Sequence, residues 1–497
     1  MEYVSTRDKS RRVSAAAAIA AGIAPDGGLY CPVTFPKLTV DDWHAMARMD
    51  YKGRAAHILG KFLTDFSAGE LADFAAKAYA DEKFGCSNTA PLVELAGGKY
   101  MLELWHGPTC AFKDMALQIL PHLLTASLRK INETRTACIL VATSGDTGKA
   151  ALDGFHDVDG TKIMVYYPEN GVSPMQKLQM TTQEGANVEV VAIRGNFDDA
   201  QSAVKRIFTD SETRAALDRD GMMLSSANSI NWGRLAPQIA YYVSAYCDML
   251  CRGDIKHGDR INICVPTGNF GNILAAYIAK QMGLPIHKLI CASNRNNVLT
   301  DFFRNNGLYD KNRDFYTTSS PSMDILISSN LERLLFYASG QDDSAVAALM
   351  DKLRGEGRYQ VAADIFANIA ADFDAGCCDD ALTTETIKTL WEQERYLCDT
   401  HTAVAVRVYE DYRVRTGDTT PTMIASTASP FKFCRAVIEA IGGTLERDDV
   451  SQLDVLTRLT GLAAPAPLAA LAGKAPRFGR VVDKEDILST VSLLREL

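Results

Sequence analysis

No stretch of this chain is apolar for long enough to cross a bilayer as a helix, which takes about 20 consecutive apolar residues. An excess of positive charge is also missing. The formal net charge is -9 over 497 residues, which makes nucleic acid and anionic membrane poor partners. Metal-ligand spacing is absent as well. Of the twelve cysteines, Cys247 and Cys251 lie four apart on a helical pattern, but no second Cys/His pair matches them, so no metal site is expected. The cysteines do not form a disulfide frame either: Cys138, Cys264 and Cys291 sit in apolar runs, where a reduced thiol packs as a small hydrophobe. There is no internal repeat and no charge block long enough to imply disorder. A secretory signal is imitated only. Arg11 and Arg12 precede Val13, Ser14 and four alanines, but that core is alanine rather than leucine and follows Asp8 and Lys9. It reads as an alanine-rich helix stopped by Gly22 and Pro25. These exclusions place the protein in the cytoplasm, with no obligatory protein partner evident.

What is present is the composition of an ordinary globular protein, 47% hydrophobic and 23% charged, at a length that suggests roughly three domains. Residues 1–92 carry helical apolar spacing through Met46, Ile58, Leu59, Phe62 and Leu71, which predicts a helical N-terminal cap. From Leu92 onward strand and helix patterns alternate. The strand candidates are residues 136–142, 163–167, 188–193, 261–265, 287–292 and 422–426. Runs of Val and Ile separated by helical patterns predict an α/β fold, a largely parallel sheet with helices on both faces. Ligands of such sheets bind beyond the C-terminal ends of the strands. Residues 296–415 alternate polar clusters with helical stretches such as 331–337 and 345–353, which reads as a mainly helical insertion. Three prolines within 465–476 predict a loop before a final helix near 486–497.

Four loops carry the chemistry. In the first, His106-Gly107-Pro108 leads through Thr109, Cys110, Ala111 and Phe112 to Lys113, ahead of a helical pattern of Met115, Ala116, Ile119 and Leu120. A half-buried lysine there can lose its proton and attack an aldehyde. Pyridoxal phosphate is the natural partner, because proteins hold it through a lysine and a separate phosphate cradle. The second loop supplies a cradle. The strand candidate 261–265 runs into Pro266, Thr267, Gly268, Asn269, Phe270, Gly271 and Asn272 and then into a helix pattern, so that bare N–H groups and the helix dipole converge on an anion. The third loop is Thr143-Ser144-Gly145-Asp146-Thr147-Gly148-Lys149. It imitates a nucleotide-binding P-loop, but Thr143 stands where that pattern needs Gly, and Ala150 where it needs Ser or Thr. A loop rich in hydroxyls and N–H donors remains, suited to a carboxylate. In the fourth, residues 422–426 pass into Thr427-Ala428-Ser429-Pro430-Phe431-Lys432, where a hydroxyl can hydrogen-bond a pyridine nitrogen without protonating it. Cys110 has no His or Asn partner that the sequence names and is read as packing rather than as a nucleophile. Lys113, Lys149 and Arg234 are the candidate cations of a local positive pocket, which an anionic substrate needs in an acidic protein.

In this order, and together with the segments Tyr3 to Arg7, Gly22 to Tyr30, Gly195 to Asp199, Asn228 to Arg234 and Ser320 to Leu326, the four loops resemble the threonine synthases of the longer bacterial and fungal type. The resemblance spans nearly the whole chain. It implies a fold-type-II pyridoxal phosphate enzyme, tryptophan synthase β-like, with the cap at 1–92 and a catalytic region of two α/β subdomains at 93–497. Carried across, it makes Lys113 the catalytic, Schiff-base lysine. It makes Gly268, Asn269, Phe270, Gly271 and Asn272 the holders of the cofactor phosphate, and Thr427 the partner of the pyridine nitrogen. Ser144, Asp146 and Thr147 are assigned to the substrate carboxylate and the ring face; Ser229, Arg234 and Asn269 are assigned to the substrate phosphate. Two positions depart. Thr400 stands where the family usually shows proline, and Asp146 stands where fold-type-II enzymes at large carry Asn, although Asp is the norm in this branch.

The reaction so implied converts O-phospho-L-homoserine and water into L-threonine and phosphate, the last step of threonine biosynthesis. The nearest alternative is a related pyridoxal-phosphate lyase or dehydratase acting on a hydroxy- or phospho-amino acid. If its substrate were free serine or threonine, Ser229 and Arg234 would have no phosphate to hold. A non-catalytic protein that binds the cofactor is a remote alternative, opposed by the intact lysine and cradle. For Arg234 itself the competing reading is a structural cation paired with a carboxylate.

Overall fold

In the computed structural model, which describes residues 1–85 and 88–497 without the side chain of residue 198, the alanine-rich stretch is the helix Ala15–Ala21. Ser14 caps it by accepting from the Ala17 N–H, and Gly22 ends it at φ 73°, a backbone conformation that suits a residue without Cβ. Four more helices come after it: Val40–Met46, Tyr51–Phe62, Ala68–Ala78 and Asp81–Phe84. Thr39, Asp50 and Ser67 accept from first-turn N–H groups at three of these starts. Met46, Ile58, Leu59, Phe62 and Leu71 are all buried. Strands Tyr3–Ser5 and Tyr30–Pro32 pair antiparallel, so this end of the chain is helical with one small ribbon.

All six expected strands are present, divided three and three between two sheets. One sheet has five parallel strands in the order Arg480–Asp483, Val188–Arg194, Thr161–Pro168, Thr136–Ala142, Met222–Ser225. The other has six, in the order Phe373–Cys377, Ile286–Ser293, Ile261–Pro266, Thr422–Ser426, Lys99–Glu103, Leu92–Leu95; only the last pairing is antiparallel. The central strands are buried along their length, as parallel sheets covered on both faces require.

The strands not foreseen have reasons to hide. Lys99–Glu103 begins and ends with a charge, yet every residue is buried, because Lys99 pairs with Glu394 at 3.0 Å and Glu410 at 2.9 Å. Met222–Ser225 and Phe373–Cys377 contain no Val or Ile. Arg480–Asp483 is short and half-exposed and lies just after the loop expected at 465–476, which itself holds the one-turn helix Ala466–Ala469. The chain then closes with the 3₁₀ helix Lys484–Ser492 and a single α-turn, Leu493–Glu496, rather than one final α-helix. Residues 296–415 hold six helices, Val298–Arg304, Leu331–Ala338, Asp343–Gly355, Ala363–Asp372, Asp380–Glu394 and Thr400–Thr416. They also give the larger sheet its edge strand Phe373–Cys377, so this stretch is woven into the sheet. Eleven cysteines among the described residues are free. Among the same residues no helix is long and apolar enough to cross a membrane, and no cluster of His, Cys, Asp and Glu is arranged to hold a metal.

Candidate active site

The chain leaves strand Lys99–Glu103 and is pinned against the loop after Thr422–Ser426. The Phe112 N–H donates to Thr427 O at 2.8 Å and the Ser429 N–H to Cys110 O at 3.1 Å, with an isolated bridge between Ala111 and Ala428. Gly107 has no room for a Cβ, which would lie 2.6 Å from the Asp114 carboxylate. That carboxylate accepts from the Thr109 N–H at 2.9 Å and from Thr109 Oγ1 at 2.6 Å. Held in this way, Lys113 opens the one-turn helix Asp114–Leu117 with 9% of its surface exposed. Burial pushes its ammonium down to about 8, against the opposing pull of Asp146. About a tenth of it is then free amine at pH 7, the form that attacks an aldehyde. Cys110 packs in an apolar cluster and burial pushes its thiol up to about 12, so it is no nucleophile at neutral pH.

The second loop builds a receptor for an anion. A Cβ on Gly268 would sit 2.7 Å from Ser322 O. Phe270 occupies the left-handed region at φ 63° before helix Gly271–Met282, with its ring packed against Phe303 and Phe373. That strained residue turns the chain so that the first-turn N–H groups open onto the site. Asn272 Oδ1 accepts from the hydroxyls of Tyr241, at 2.6 Å, and Tyr242. This fixes the amide, and Asn272 Nδ2 is left buried with no partner among the described residues. A buried free donor in such a cradle is satisfied by an anionic ligand.

In the third loop, Thr143 Oγ1 accepts from the N–H groups of Gly145 at 2.9 Å and Gly148 at 2.8 Å, closing the turn ahead of helix Asp146–Phe155. Asp146 is buried and fully engaged. Its Oδ1 lies 2.6 Å from Lys432 Nζ and accepts from Gln176 Nε2 at 2.8 Å; its Oδ2 accepts from Ser322 Oγ at 3.3 Å and lies 3.8 Å from Lys113 Nζ. Burial alone would raise this carboxyl, but Lys432 and Lys113 outweigh it and hold it well below the usual carboxylate range. A fixed anion repels a second carboxylate. The parts of this loop fit for a substrate carboxylate are therefore the hydroxyls of Ser144 and Thr147 and the N–H groups at the helix start.

Arg234, on the one-turn helix Trp232–Leu235, is 3% exposed. Its Nη1 donates to Ala227 O at 2.8 Å and its Nε has no partner among the described residues. Among the described residues no carboxylate lies within ion-pair distance of it, so the structural pairing weighed from the sequence is not found. Burial lowers its guanidinium to about 10. Nearby, Asn330 Nδ2 donates to Ser229 Oγ at 3.0 Å and to Asn269 O at 2.9 Å. Arg333, wholly buried, donates to Asn330 Oδ1 and to the carbonyls of Tyr30, Ser229 and Ile230.

Lys113, Ser144, Asp146, Thr147, Ser229, Arg234, Gly268 to Asn272 and Thr427 all line one cleft. Phe112, Asn228, Gln238, Ser322 and His401 line it too, and none of these had a role in the sequence reading. The Ser322 N–H donates to His401 Nε2 at 3.1 Å, which leaves the ring proton on Nδ1, 2.7 Å from Asp399 Oδ2. The signal for this pair was the capping pattern of Asp399 with His401 and Thr402. Thr400 donates its hydroxyl to Ser319 O at 2.7 Å, a bond that proline cannot make. Lys432, flanked by Phe431 and Phe433, was legible only as a lysine in an apolar run.

Three family models match the chain: threonine synthase N terminus at residues 2–79, pyridoxal-phosphate dependent enzyme at 90–425, and threonine synthase, C-terminal, at 402–488. The threonine synthase of Pseudomonas aeruginosa is 39% identical over 443 residues, covering 88% of this chain and 90% of that protein. Threonine synthase-like 1 of Homo sapiens is 41% identical over 88% of this chain, and the match covers 60% of that protein's length. The crystal structure of PLP-bound threonine synthase from Brucella melitensis matches with a TM-score of 0.87 at 36% identity, over 100% of this chain and 99% of that one.

Proposed function

Since the chain belongs to the threonine synthase family of pyridoxal-phosphate enzymes, we propose that its cleft converts O-phospho-L-homoserine and water into L-threonine and phosphate. Arg234 carries this reading. It is a buried guanidinium on the cleft wall, and among the described residues its Nε has no partner and no carboxylate lies within ion-pair distance. Burying a cation without a counter-charge is costly unless a ligand brings one. The phosphate of O-phosphohomoserine does so, whereas free serine or threonine has nothing to offer it. Ser229 and Asn269, tied together by Asn330, are proposed to complete that subsite.

The residues of the cleft fit pyridoxal phosphate: a lysine shifted toward free amine, a loop cleared by Gly268, and the free donor of Asn272. Lys113 would attach it, Gly268 to Asn272 would hold its phosphate, and Thr427 would meet the pyridine nitrogen. When bound, the cofactor supplies the electron sink that makes protons on the α- and β-carbons removable. Lys113 Nζ takes the α-proton, and Asp146 Oδ2 stabilises the ammonium so formed. Ser144 and Thr147 orient the substrate carboxylate, while Arg234 takes up the charge of the phosphate as it leaves the γ-carbon. Among the described residues eleven free thiols, most of them buried, support a cytoplasmic setting.

The test is a product assay with O-phosphohomoserine, serine and threonine offered separately. Threonine and equimolar phosphate are expected from the first alone. Keto acid and ammonia from serine, with no threonine from O-phosphohomoserine, would replace this reading with a dehydratase. In Arg234→Leu a charge-assisted interaction worth about 1.5–3 kcal/mol is lost. kcat/KM for O-phosphohomoserine then falls at least about tenfold while the cofactor spectrum is unchanged. Normal kinetics with a lowered melting temperature would reduce Arg234 to a structural residue.

A further inference from the structure

The 3₁₀ turn Pro430–Phe433 sends Lys432 into the interior, where its side chain is wholly buried. Its Nζ lies 2.6 Å from Asp146 Oδ1 and donates to Thr109 O at 2.9 Å. One side chain therefore joins three of the four loops of the cleft. Nothing in the proposed reaction uses it, and a buried ion pair is seldom worth more than well-packed apolar groups unless its charge is needed. The role of that charge emerges from how Asp146 is divided. Oδ1 is taken by Lys432 and by Gln176 Nε2, and Gln176 is itself fixed by the Ser173 N–H on its Oε1 at 3.0 Å. Oδ2 faces Lys113 Nζ at 3.8 Å. Two lysines share one carboxylate, and Lys432 is the nearer.

We propose that Lys432 is a positioning residue for Lys113: by binding Asp146 from the side away from Lys113 it absorbs that carboxylate's charge, which frees Lys113 to release its proton. The proposal rests on Lys113 being the cofactor lysine and is independent of the substrate. The charged groups facing Lys113 are Asp146, Arg234, Lys432 and Asp399. Those facing Asp146 are Lys432 and Lys113, with the titratable ring of His401 also near. Asp114, beside Lys113 in the chain, is turned toward Thr109. Without Lys432 the Asp146 charge falls on Lys113 alone, and one like charge is gone as well. Both changes favour the ammonium form.

The full-length chain, freed of cofactor, is mixed with pyridoxal phosphate between about pH 6 and 9.5, across the range where a shifted lysine titrates. The free Nζ attacks the aldehyde carbon, a C=N bond forms and the aldehyde oxygen leaves as water, with no oxidation or reduction. The rate at which the visible band appears therefore tracks the free-amine fraction, and ionisations of the probe itself are common to all variants. The unaltered chain should show a midpoint near 8. Lys432→Met should raise it by about one pH unit, making capture about tenfold slower at pH 7. Lys432→Arg should restore it, and Asp146→Asn should move it the other way. A midpoint that stays or falls in Lys432→Met overturns the proposal. If that variant does not fold, an unmoved midpoint in Asp146→Asn overturns it equally. Borohydride reduction and peptide mapping on the same samples separate the two assignments, because a pyridoxyl label away from Lys113 counts against the cofactor lysine itself.

Discussion

Two strand–loop–helix units feed the cleft, and they treat their helix starts in opposite ways. Thr136–Ala142 leads into Asp146–Phe155, and Ile261–Pro266 leads into Gly271–Met282. In the first unit the strong polar groups are paired within the protein. Thr143 takes two N–H groups, and Asp146 is bound by Lys432, Gln176 and Ser322. In the second, Asn272 keeps a donor free and Phe270 is held in a conformation that a glycine would adopt without strain. Similar local designs thus yield one helix start whose carboxylate is paired within the protein and another that keeps a donor free, the difference on which the two proposed roles rest. The difference is made by side chains from distant segments, Lys432 and Gln176 in one case, Tyr241 and Tyr242 in the other.

The sharpest way to break this contrast is at Lys113, which both units face. Lys113→Ala should cut turnover by about 10²–10⁴-fold, the span of a general base, and prevent covalent attachment of the cofactor. If the second unit is a receptor in its own right, equilibrium dialysis should still detect pyridoxal phosphate bound without a covalent link. Complete loss of binding would deny it that role.

A pair of glycine substitutions comes next. Gly268→Ala sets a methyl group 2.7 Å from Ser322 O in the receptor loop, and the cofactor Kd should rise at least about tenfold, roughly 1.4 kcal/mol. Gly145→Ala imposes φ 129° on a residue with a Cβ and drives that Cβ to 2.4 Å from Gln176. Its cost should appear as lost stability of the cofactor-free protein, about 1–3 kcal/mol. Calorimetric titration and thermal melts on both proteins decide, and an exchange of the two phenotypes would reverse the comparison. The smallest effect is expected from Tyr242→Phe, which leaves Tyr241 on Asn272 Oδ1. Losing one of two bonds should weaken cofactor binding by about 1 kcal/mol, near fivefold, in the same titration.

Much of the site was readable before any fold was known, because each loop carries local chemistry: a lysine after Gly-Pro, a Gly-x-x-Gly turn before a helix, hydroxyls after an apolar strand. Lys113, Gly268 and Thr427 meet in one cleft for that reason. Asp146 illustrates the limit. Its place in the loop was legible, but its charge partner stands 286 residues further along, and only the packed structure shows that its carboxylate is already spoken for. Arg333 and Asn330, which organise Ser229 and Asn269, were invisible for the same cause. The strand Lys99–Glu103 was hidden by its own charges, neutralised by glutamates on helices that the local pattern cannot bring near.

The bonds that shape the lysine loop have a consequence for how the protein is made. Lys432 donates to Thr109 across 323 residues of chain, and Thr427 and Ser429 hold the loop beside it. At about 5–20 residues per second a ribosome takes roughly 15–60 seconds to travel that distance. Until then the lysine loop lacks the bonds that hold it, and Lys113 would react as any surface lysine does. Selectivity arrives only when the fourth loop has left the exit tunnel, so uptake of the cofactor would mark the completion of the cleft.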